Sequence, residues 1–382
     1  MSLTLNLDQQ EFLQTTWQRK PRLIRGAFRN FEDLVEAEIL AGLALEDGVD
    51  SRVIENHNEN WSVSHGPFES YEAFGEEGWT LLVQSVNEWI PEVQQLIAPF
   101  RFLPDWRIDD VMISFATEHG GVGPHLDQYD VFIIQGAGKR HWQVGERIQQ
   151  ANEFCPHPDL KQLKDAFEPV IDAVLEAGDM LYIPAGCPHN GVALEPSLNY
   201  SVGFRAPNTA ELSAAVGDTL SQLEQQPLPR FRDAQAVNYG KPYQVTSAQL
   251  AQVRQFLLSS LEQLDLDHAM LLVLSQSKRP LPQPDELLQP AELKQFLNHN
   301  EPMLLVRTPG ARILIGPNQT LYANGEAWPL IEQTKAFAEF IGAMWDDSDL
   351  RDLQPMLHSD QAIALCCDLI NAGIIDIVAQ QD

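Results

Sequence analysis

The region between Asp110 and Phe204 constrains the fold more than any other part of the sequence. Its apolar residues occur in short runs that are repeatedly interrupted by glycine and proline. The runs that are candidate strands are Val111–Phe115, Val131–Gln135, Arg140–Val144, Met180–Ile183 and Asn199–Phe204. Many short strands joined by turns predict a β-barrel or a β-sandwich.

The sequence on both sides of this region has helical patterns instead. Phe31 to Leu45 is predicted as a helix, and so are Glu211–Gln222 and Ser247–Leu264. Residues 280–284 contain three prolines and form a stiff linker. The elements predicted beyond it are strands at Met303–Arg307, Arg312–Ile315 and Thr320–Ala323, and helices at Ala291–Asn298, Glu332–Met344, Asp349–Leu357 and Gln361–Ala372. The 382 residues are enough for two or three domains, of mixed α+β content.

Two histidines and an aspartate have the spacing of a metal site. His125 and Asp127 are two residues apart, so on a strand their side chains project from the same face. His189 follows a Gly-Asp turn, the apolar run Met180–Ile183 and a proline-rich bend that directs it inward. Two imidazoles and one carboxylate can occupy one face of an octahedral metal and leave the other face open, as in non-haem Fe(II) oxygenases.

The composition restricts the partners and the compartment. Twenty-five lysine and arginine residues stand against 54 aspartate and glutamate residues, a formal net charge of −29. This charge repels phosphate, so direct nucleic-acid or anionic-membrane binding is not expected, whereas a basic protein is attracted. Solubility alone is the other reading of the charge. The sequence has no secretory signal, no apolar stretch of membrane-spanning length and no disulfide framework, which predicts a cytoplasmic protein.

The motifs together resemble the JmjC branch of the cupin-fold 2-oxoglutarate oxygenases. The resemblance lies in Phe115–Trp142 and Gly178–His189, and with Asp105–Asp110 and Asn199–Pro207 it narrows to the bacterial ribosomal oxygenases. It implies a double-stranded β-helix with N-terminal helices in residues 1–207. It also implies a helical dimerisation region in residues 208–279, hence a homodimer, and a winged-helix-like domain in residues 280–382. The last domain carries five basic and fifteen acidic residues, which does not favour DNA binding.

The resemblance also implies the site residues and the reaction. His125, Asp127 and His189 would bind Fe(II), and Ser114 would help to hold 2-oxoglutarate. The distal carboxylate of 2-oxoglutarate needs a cation, ideally the planar fork of an arginine. Strand alternation lets only one of Lys139 and Arg140 face inward, and the family position is Arg140. The family couples O₂ and 2-oxoglutarate to hydroxylation of an arginine β-carbon in a basic large-subunit ribosomal protein.

The substrate pocket and two other functions stay open at the level of sequence. Candidate contacts for a guanidinium group are Glu118, Gln128, Tyr129 and Asp130, and candidate pocket residues on the last strand are Asn199, Tyr200 and Ser201. Glu118 is equally well explained as a solvated loop carboxylate, and Tyr200 as a core residue. One alternative function is a JmjC hydroxylase of another residue, such as histidine. The other is a non-catalytic cupin module that binds zinc, although structural zinc sites are usually closed and tetrahedral.

Overall fold

A computed structural model of the protein describes residues 3–57, 60–222, 230–232, 241, 243–263, 265–298, 303–345 and 347–379. The chain divides into two compact units. The first unit consists of Met1–Ala206, Leu304–Gly310 and Met344–Ser348, and the second of Pro207–Met303, Ala311–Ala343 and Asp349–Asp382. The prediction of three domains at 1–207, 208–279 and 280–382 stays a prediction.

The first unit is built mainly of antiparallel strands. Its helices are α1 (Gln9–Thr15), α2 (Ala37–Leu43) and α3 (Pro91–Gln94). Its strands are β1 (Arg22–Ile24), β2 (Ser51–His57), β3 (Asn60–His65), β4 (Trp79–Val83), β5 (Ile108–Ala116), β6 (Asp130–Gln135), β7 (Arg140–Gly145), β8 (Glu153–His157), β9 (Leu160–Leu163), β10 (Pro169–Leu175), β11 (Met180–Ile183), β12 (His189–Ala193) and β13 (Ser197–Phe204). The strands predicted between residues 111 and 204 are confirmed, with small differences at their ends.

The strands form two facing sheets and a separate hairpin. One sheet has the order β1-β11-β6-β13-β5-β4-β2-β3, the other has the order β10-β7-β12, and β8 pairs with β9. Apolar side chains from β6, β7, β10 and β11 meet in one cluster, which includes Ile133, Leu181 and Val144. The two sheets therefore enclose a common interior, which is the double-stranded β-helix of the cupin fold.

Strands β6 and β11 of the large sheet are buried on both faces, which explains why they have no polar alternation. On β6, Val131 and Ile133 belong to the cluster between the sheets, whereas Phe132 and Ile134 belong to a second cluster with the N-terminal elements. Helix α1 covers this outer face, and the Phe12 ring lies 5.6 Å from that of Phe132. Asp8 begins this helix by accepting a hydrogen bond from the Glu11 amide at 2.9 Å.

The prediction of a helix from Phe31 to Leu45 is wrong for its first six residues, since α2 begins at Ala37. The Asp33 carboxylate accepts hydrogen bonds from the Ala137 amide at 3.0 Å and from the Tyr200 hydroxyl at 3.1 Å. The Leu34 amide donates to the same hydroxyl at 3.0 Å. The backbone of this segment is therefore held by the barrel and not by a helix of its own, because tertiary contacts override local propensity.

The second unit combines helices with a small antiparallel sheet. Its helices are α4 (Thr209–Gln222), α5 (Ser247–Gln263), α6 (Leu266–Ser275), α7 (Pro290–Leu297), α8 (Glu332–Ala343) and α9 (Asp360–Asn371). The remaining strands of the chain are β14 (Met303–Arg307), β15 (Ile313–Ile315), β16 (Thr320–Ala323), β17 (Glu326–Pro329), β18 (Ser348–Asp349) and β19 (Ile375–Ala379). Strands β15, β16 and β17 form one sheet, and Asn324 and Gly325 have φ of 48° and 78° in the predicted tight turn.

The helix predicted at Asp349–Leu357 is wrong. Only a short 3₁₀ turn, Leu350–Leu353, forms there. Asp349 accepts a hydrogen bond from the Arg351 amide at 2.9 Å, which closes a local turn. Pro355 lacks the amide hydrogen that a continuing helix needs. Across the described part of the chain, no helix combines the length and apolar character required to cross a bilayer.

Candidate active site

The two sequence segments that carry His125 and His189 are joined by their backbones. The His125 amide donates to the His189 carbonyl at 3.0 Å, and the His189 amide donates to the His125 carbonyl at 2.8 Å. The centres of the two imidazole rings lie 4.2 Å apart. The prediction that His125 and Asp127 lie on one strand is wrong, because His125 forms only an isolated bridge and the next strand, β6, begins at Asp130.

Asp127 completes the group. Its backbone carbonyl accepts a hydrogen bond from the Gly186 amide at 2.8 Å, and its Oδ2 atom lies 3.6 Å from Nε2 of His189. One potential ligand atom of each of the three residues lies within 4.8 Å of the others. In the described part of the chain this is the one group of three or more such residues with metal-binding geometry. The donors are two nitrogens and one carboxylate, which is the facial set of non-haem iron.

Both imidazoles are oriented by the carbonyl two residues upstream. Nδ1 of His125 lies 2.9 Å from the Gly123 carbonyl, and Nδ1 of His189 lies 3.0 Å from the Cys187 carbonyl. Donation from Nδ1 leaves the lone pair on Nε2, where a metal is bound. Burial, assisted by the nearby His125, lowers the pKa of His189 to about 4 and keeps its ring neutral.

These orienting carbonyls are not evident from residue types, but the sequence contains a signal for them. Each histidine directly follows a proline, in Gly123-Pro124-His125 and Cys187-Pro188-His189. Proline fixes φ near −65° and has no amide hydrogen, so it favours a bend over a regular strand. In both segments, the bend places the carbonyl that precedes the proline next to the imidazole of the histidine that follows it.

Arg140 lies inside the barrel, and Lys139 does not. The Lys139 amine is half exposed and pairs with Glu176 at 2.7 Å. The Arg140 side chain is 5% exposed. Its guanidinium donates to the hydroxyls of Ser197 and Ser114, each at 2.9 Å, and to the carbonyls of the same two residues at 2.9 and 3.0 Å. The inward position is therefore taken by the arginine.

All of these hydrogen-bond partners of Arg140 are neutral. Burial lowers the pKa of Arg140 to about 9, so the guanidinium is still charged at neutral pH. A buried cation without a counter-charge is costly, and an anionic ligand would compensate it. In the pairing of β7 with β12, Arg140 lies opposite Ala193 and Val144 lies opposite His189. The arginine and the histidine are therefore four residue positions apart along the strand direction. This offset is roughly 13 Å along the strand, which their inward side chains and a small dicarboxylate can span.

The side chain of Asn199 indicates whether a ligand fits between the metal-binding residues and Arg140. It lies opposite Ser114 in the register of β13 and β5 and is 1% exposed. Neither its amide nitrogen nor its amide oxygen has a hydrogen-bond partner in the described part of the chain. A buried amide of this kind is expected to be satisfied by something else. The metal donors, Arg140 and Asn199 therefore fit a metal-bound dicarboxylate such as 2-oxoglutarate.

Two candidate pocket residues face away from the barrel interior. Tyr200 belongs to the outer apolar cluster, and its hydroxyl contacts Asp33. Asp130 is fully buried on the same outer side, where it pairs with Arg107 at 2.9 Å and accepts from the Tyr182 hydroxyl at 2.9 Å. The interpretation of these residues as pocket residues is wrong, because strand alternation directs them outward.

Replacement of Asp130 by asparagine is expected to destabilise the protein by about 3 kcal/mol, because it leaves the Arg107 guanidinium without its buried counter-charge. Cobalt binding at the metal site should be unchanged. Urea unfolding and calorimetric cobalt titration measure the two quantities. A loss of cobalt affinity without a loss of stability would contradict the outward placement of Asp130.

Two other candidates, Glu118 and Tyr129, are exposed. Glu118 is 54% exposed and lies 3.9 Å from His119. Tyr129 is partly exposed, and its pKa is raised by partial burial and also by the carboxylates of Asp127, Asp110 and Asp109, against a smaller opposing effect of Arg52. The surroundings of the Tyr129 hydroxyl are therefore acidic.

Comparisons with known proteins agree with this geometry. Residues 95–212 match the model of the JmjC domain family. The chain is 47% identical, over 330 residues, to the ribosomal protein uL16 3-hydroxylase of Escherichia coli, covering 85% of this chain and 87% of that protein. The chain belongs to the JmjC-domain ribosomal oxygenases. A probable ribosomal oxygenase of Haemophilus influenzae is 33% identical over 82% of this chain and 80% of that protein.

The family assignment extends to solved structures. A ribosomal oxygenase from Escherichia coli, in complex with cobalt and 2-oxoglutarate, superimposes with a TM-score of 0.87 at 39% identity. The match covers 98% of this chain and 99% of that one. The resemblance predicted from the motifs is therefore confirmed, and so is the cupin fold with mixed helix and strand content.

Proposed function

We propose that this protein is an Fe(II)- and 2-oxoglutarate-dependent dioxygenase that hydroxylates an arginine β-carbon of a large-subunit ribosomal protein. The observation that carries the proposal is a His-Asp-His group with metal-binding geometry in the same barrel as a buried arginine whose hydrogen-bond partners are all neutral. The uL16 hydroxylase of Escherichia coli and the complex with cobalt and 2-oxoglutarate support it.

The chain's own residues bind and orient the reactants. His125, Asp127 and His189 hold the metal through Nε2 and carboxylate oxygen atoms. Arg140 would bind the distal carboxylate of 2-oxoglutarate through its positive charge and the one N–H group that its four hydrogen bonds to Ser114 and Ser197 leave available, and Ser114 would add a hydroxyl. Asn199 offers an amide to the cosubstrate from the neighbouring strand. When bound, the metal and 2-oxoglutarate supply the oxidative chemistry, in which O₂ converts 2-oxoglutarate to succinate and CO₂ and hydroxylates a C–H bond.

The acidic surroundings favour a cationic substrate side chain. Asp109, Asp110 and Asp127 all act on the hydroxyl of Tyr129, which lies two residues after the metal-binding aspartate. Such a field attracts a guanidinium group, whereas a neutral histidine gains little from it. The net charge of −29 acts in the same direction at long range, because it attracts basic ribosomal proteins. These charges favour arginine over histidine as the acceptor. A cytoplasmic location follows from a ribosomal substrate.

Two measurements test the proposal. Anaerobic addition of Fe(II) and 2-oxoglutarate should produce the metal-to-ligand absorption band of the chelate, and a non-catalytic zinc module would not give it. Intact masses of ribosomal proteins should then be compared between cells with and without the gene. In the cells without the gene, one large-subunit protein is expected to be lighter by the mass of one oxygen atom. Fragment spectra then identify the residue that carries this oxygen in cells with the gene. If no ribosomal protein changes mass, the substrate assignment is wrong.

We also propose that α5 forms a dimer interface with a second copy of the chain. Leu250, Val253 and Leu257 recur at helical spacing, and each is at least 50% exposed. None of the side chains described on this helix is buried. An apolar stripe of this kind on a soluble chain marks an interaction site, and a self-complementary patch gives a two-fold dimer. The proposed interface assigns dimerisation to the helical region 208–279. We further propose that residues 280–382 form a winged-helix-like domain.

Replacement of Leu257 by glutamate is expected to convert the dimer to a monomer, because the charge would be buried without a partner in the interface. Light scattering after size-exclusion chromatography gives the mass directly. Gln255 lies on the opposite side of the helix and is exposed, so Gln255→Glu is the matched control with the same added charge. A wild-type monomer, or a Leu257→Glu dimer of unchanged stability, would rule out this interface.

A further inference from the structure

The β8–β9 hairpin lies against the segment that leads into His125. Gln162, on β9, is 3% exposed, and its side-chain nitrogen donates to the Val122 carbonyl at 2.8 Å. The Leu163 amide donates to the Pro124 carbonyl, also at 2.8 Å. The hairpin therefore holds the carbonyls on both sides of Gly123. It does so next to the one carbonyl that orients the imidazole of His125.

Gly123 itself is fitted to Gln162. A Cβ atom at position 123 would lie 2.1 Å from the side-chain nitrogen of Gln162 and 3.1 Å from the Trp61 ring. Its φ of +79° is also one that favours glycine. The backbone thus passes directly against the glutamine amide, and the position of one determines the position of the other.

The glutamine is not required to keep the hairpin in place. Leu160 packs with Ile54 and Leu82 in an apolar cluster, and Asp159 pairs with His65 on β3 at 3.2 Å. An apolar side chain at position 162 would satisfy the burial equally well, since buried glutamine is uncommon. What the glutamine adds is a hydrogen-bond donor directed at one backbone carbonyl.

We propose that Gln162 is a positioning residue for the metal site. By fixing the Val122 carbonyl it sets the course of the backbone through Gly123, and the Gly123 carbonyl in turn fixes the ring and tautomer of His125. Groups that orient metal-binding histidines contribute to metal affinity without touching the metal. This inference depends on the proposed metal function, but it concerns a residue outside the ligand set.

The test is cobalt(II) binding to the apo protein, measured by calorimetry and by the d–d absorption spectrum of the bound ion. Gln162→Met keeps the size of the side chain and removes the donor. It is expected to lower cobalt affinity about tenfold or more and to change the spectrum, because His125 is no longer held in one orientation. Gln162→Glu places a carboxylate against the Val122 carbonyl and should lower the affinity further.

Leu160→Ala is the control for stability, since it weakens the packing of the same hairpin and retains both hydrogen bonds. It is expected to lower the unfolding midpoint with wild-type cobalt affinity and spectrum. Wild-type affinity and spectrum in Gln162→Met would overturn the positioning role. The role would also be overturned if Gln162→Met lost no more cobalt affinity than a Leu160→Ala protein of the same stability. Absence of cobalt binding by the wild-type protein would instead overturn the metal site itself.

Discussion

Replacement of His189 by alanine is expected to abolish both metal binding and substrate hydroxylation. The variant retains only His125 and Asp127, and two donors cannot hold a divalent metal on a defined face. Loss of a direct ligand exceeds the 10- to 100-fold cost of losing an orienting group, so a fall in cobalt affinity of more than about 100-fold is expected. Calorimetric titration with cobalt(II) gives the affinity, and succinate release from 2-oxoglutarate gives the turnover.

His141 provides a matched histidine control. It lies on the outward face of β7, where it is partly exposed and contacts Asp172. His141→Ala should retain wild-type cobalt affinity and turnover, because its imidazole points away from the barrel interior. If His189→Ala bound one equivalent of cobalt with wild-type affinity, or still released succinate, the assignment of the metal ligands would be wrong.

The barrel and its central residues could be predicted because they depend on local pattern. The runs Val131–Gln135 and Met180–Ile183 could be recognised as strands in the sequence. Both faces of each strand are buried, and such strands consist of apolar residues without polar alternation. His189 begins β12 after Gly186 and Pro188, and His125 follows Gly123 and Pro124, so glycine and proline mark both segments in the sequence. The choice between Lys139 and Arg140 required more than alternation, and the family position supplied it.

Other features depend on contacts between distant segments and could not be predicted. Residues 31–36 have helical spacing, but the side chains of Asp33 and Tyr200 hold this backbone in another conformation. Asp130 adjoins the metal-binding loop in sequence, yet it faces outward because it shares one face of β6 with Phe132 and Ile134. Hydrogen bonds to backbone carbonyls, such as the one that holds Val122, leave almost no trace in residue type.

Replacement of Arg140 by methionine is expected to raise the KM for 2-oxoglutarate by about 100-fold or more. A charge-assisted hydrogen bond between arginine and a carboxylate contributes about 1.5 to 3 kcal/mol, and the loss of one such bond accounts for an effect of this size. Cobalt affinity in the absence of 2-oxoglutarate should remain at the wild-type value, because Arg140 contacts serine hydroxyls and carbonyls and none of the three metal ligands. This result distinguishes Arg140→Met from His189→Ala, which is expected to lose both cobalt binding and hydroxylation.

Arg140→Lys distinguishes the charge from the geometry of the fork. Lysine keeps the positive charge but lacks the planar guanidinium that the serine contacts orient, so a smaller rise in KM, roughly tenfold, is expected. Steady-state succinate release at varied 2-oxoglutarate, with cobalt titration in parallel, gives both quantities. Wild-type KM in Arg140→Met would show that the distal carboxylate is bound elsewhere. The buried guanidinium, held only by neutral groups, would then serve the fold and not the cosubstrate.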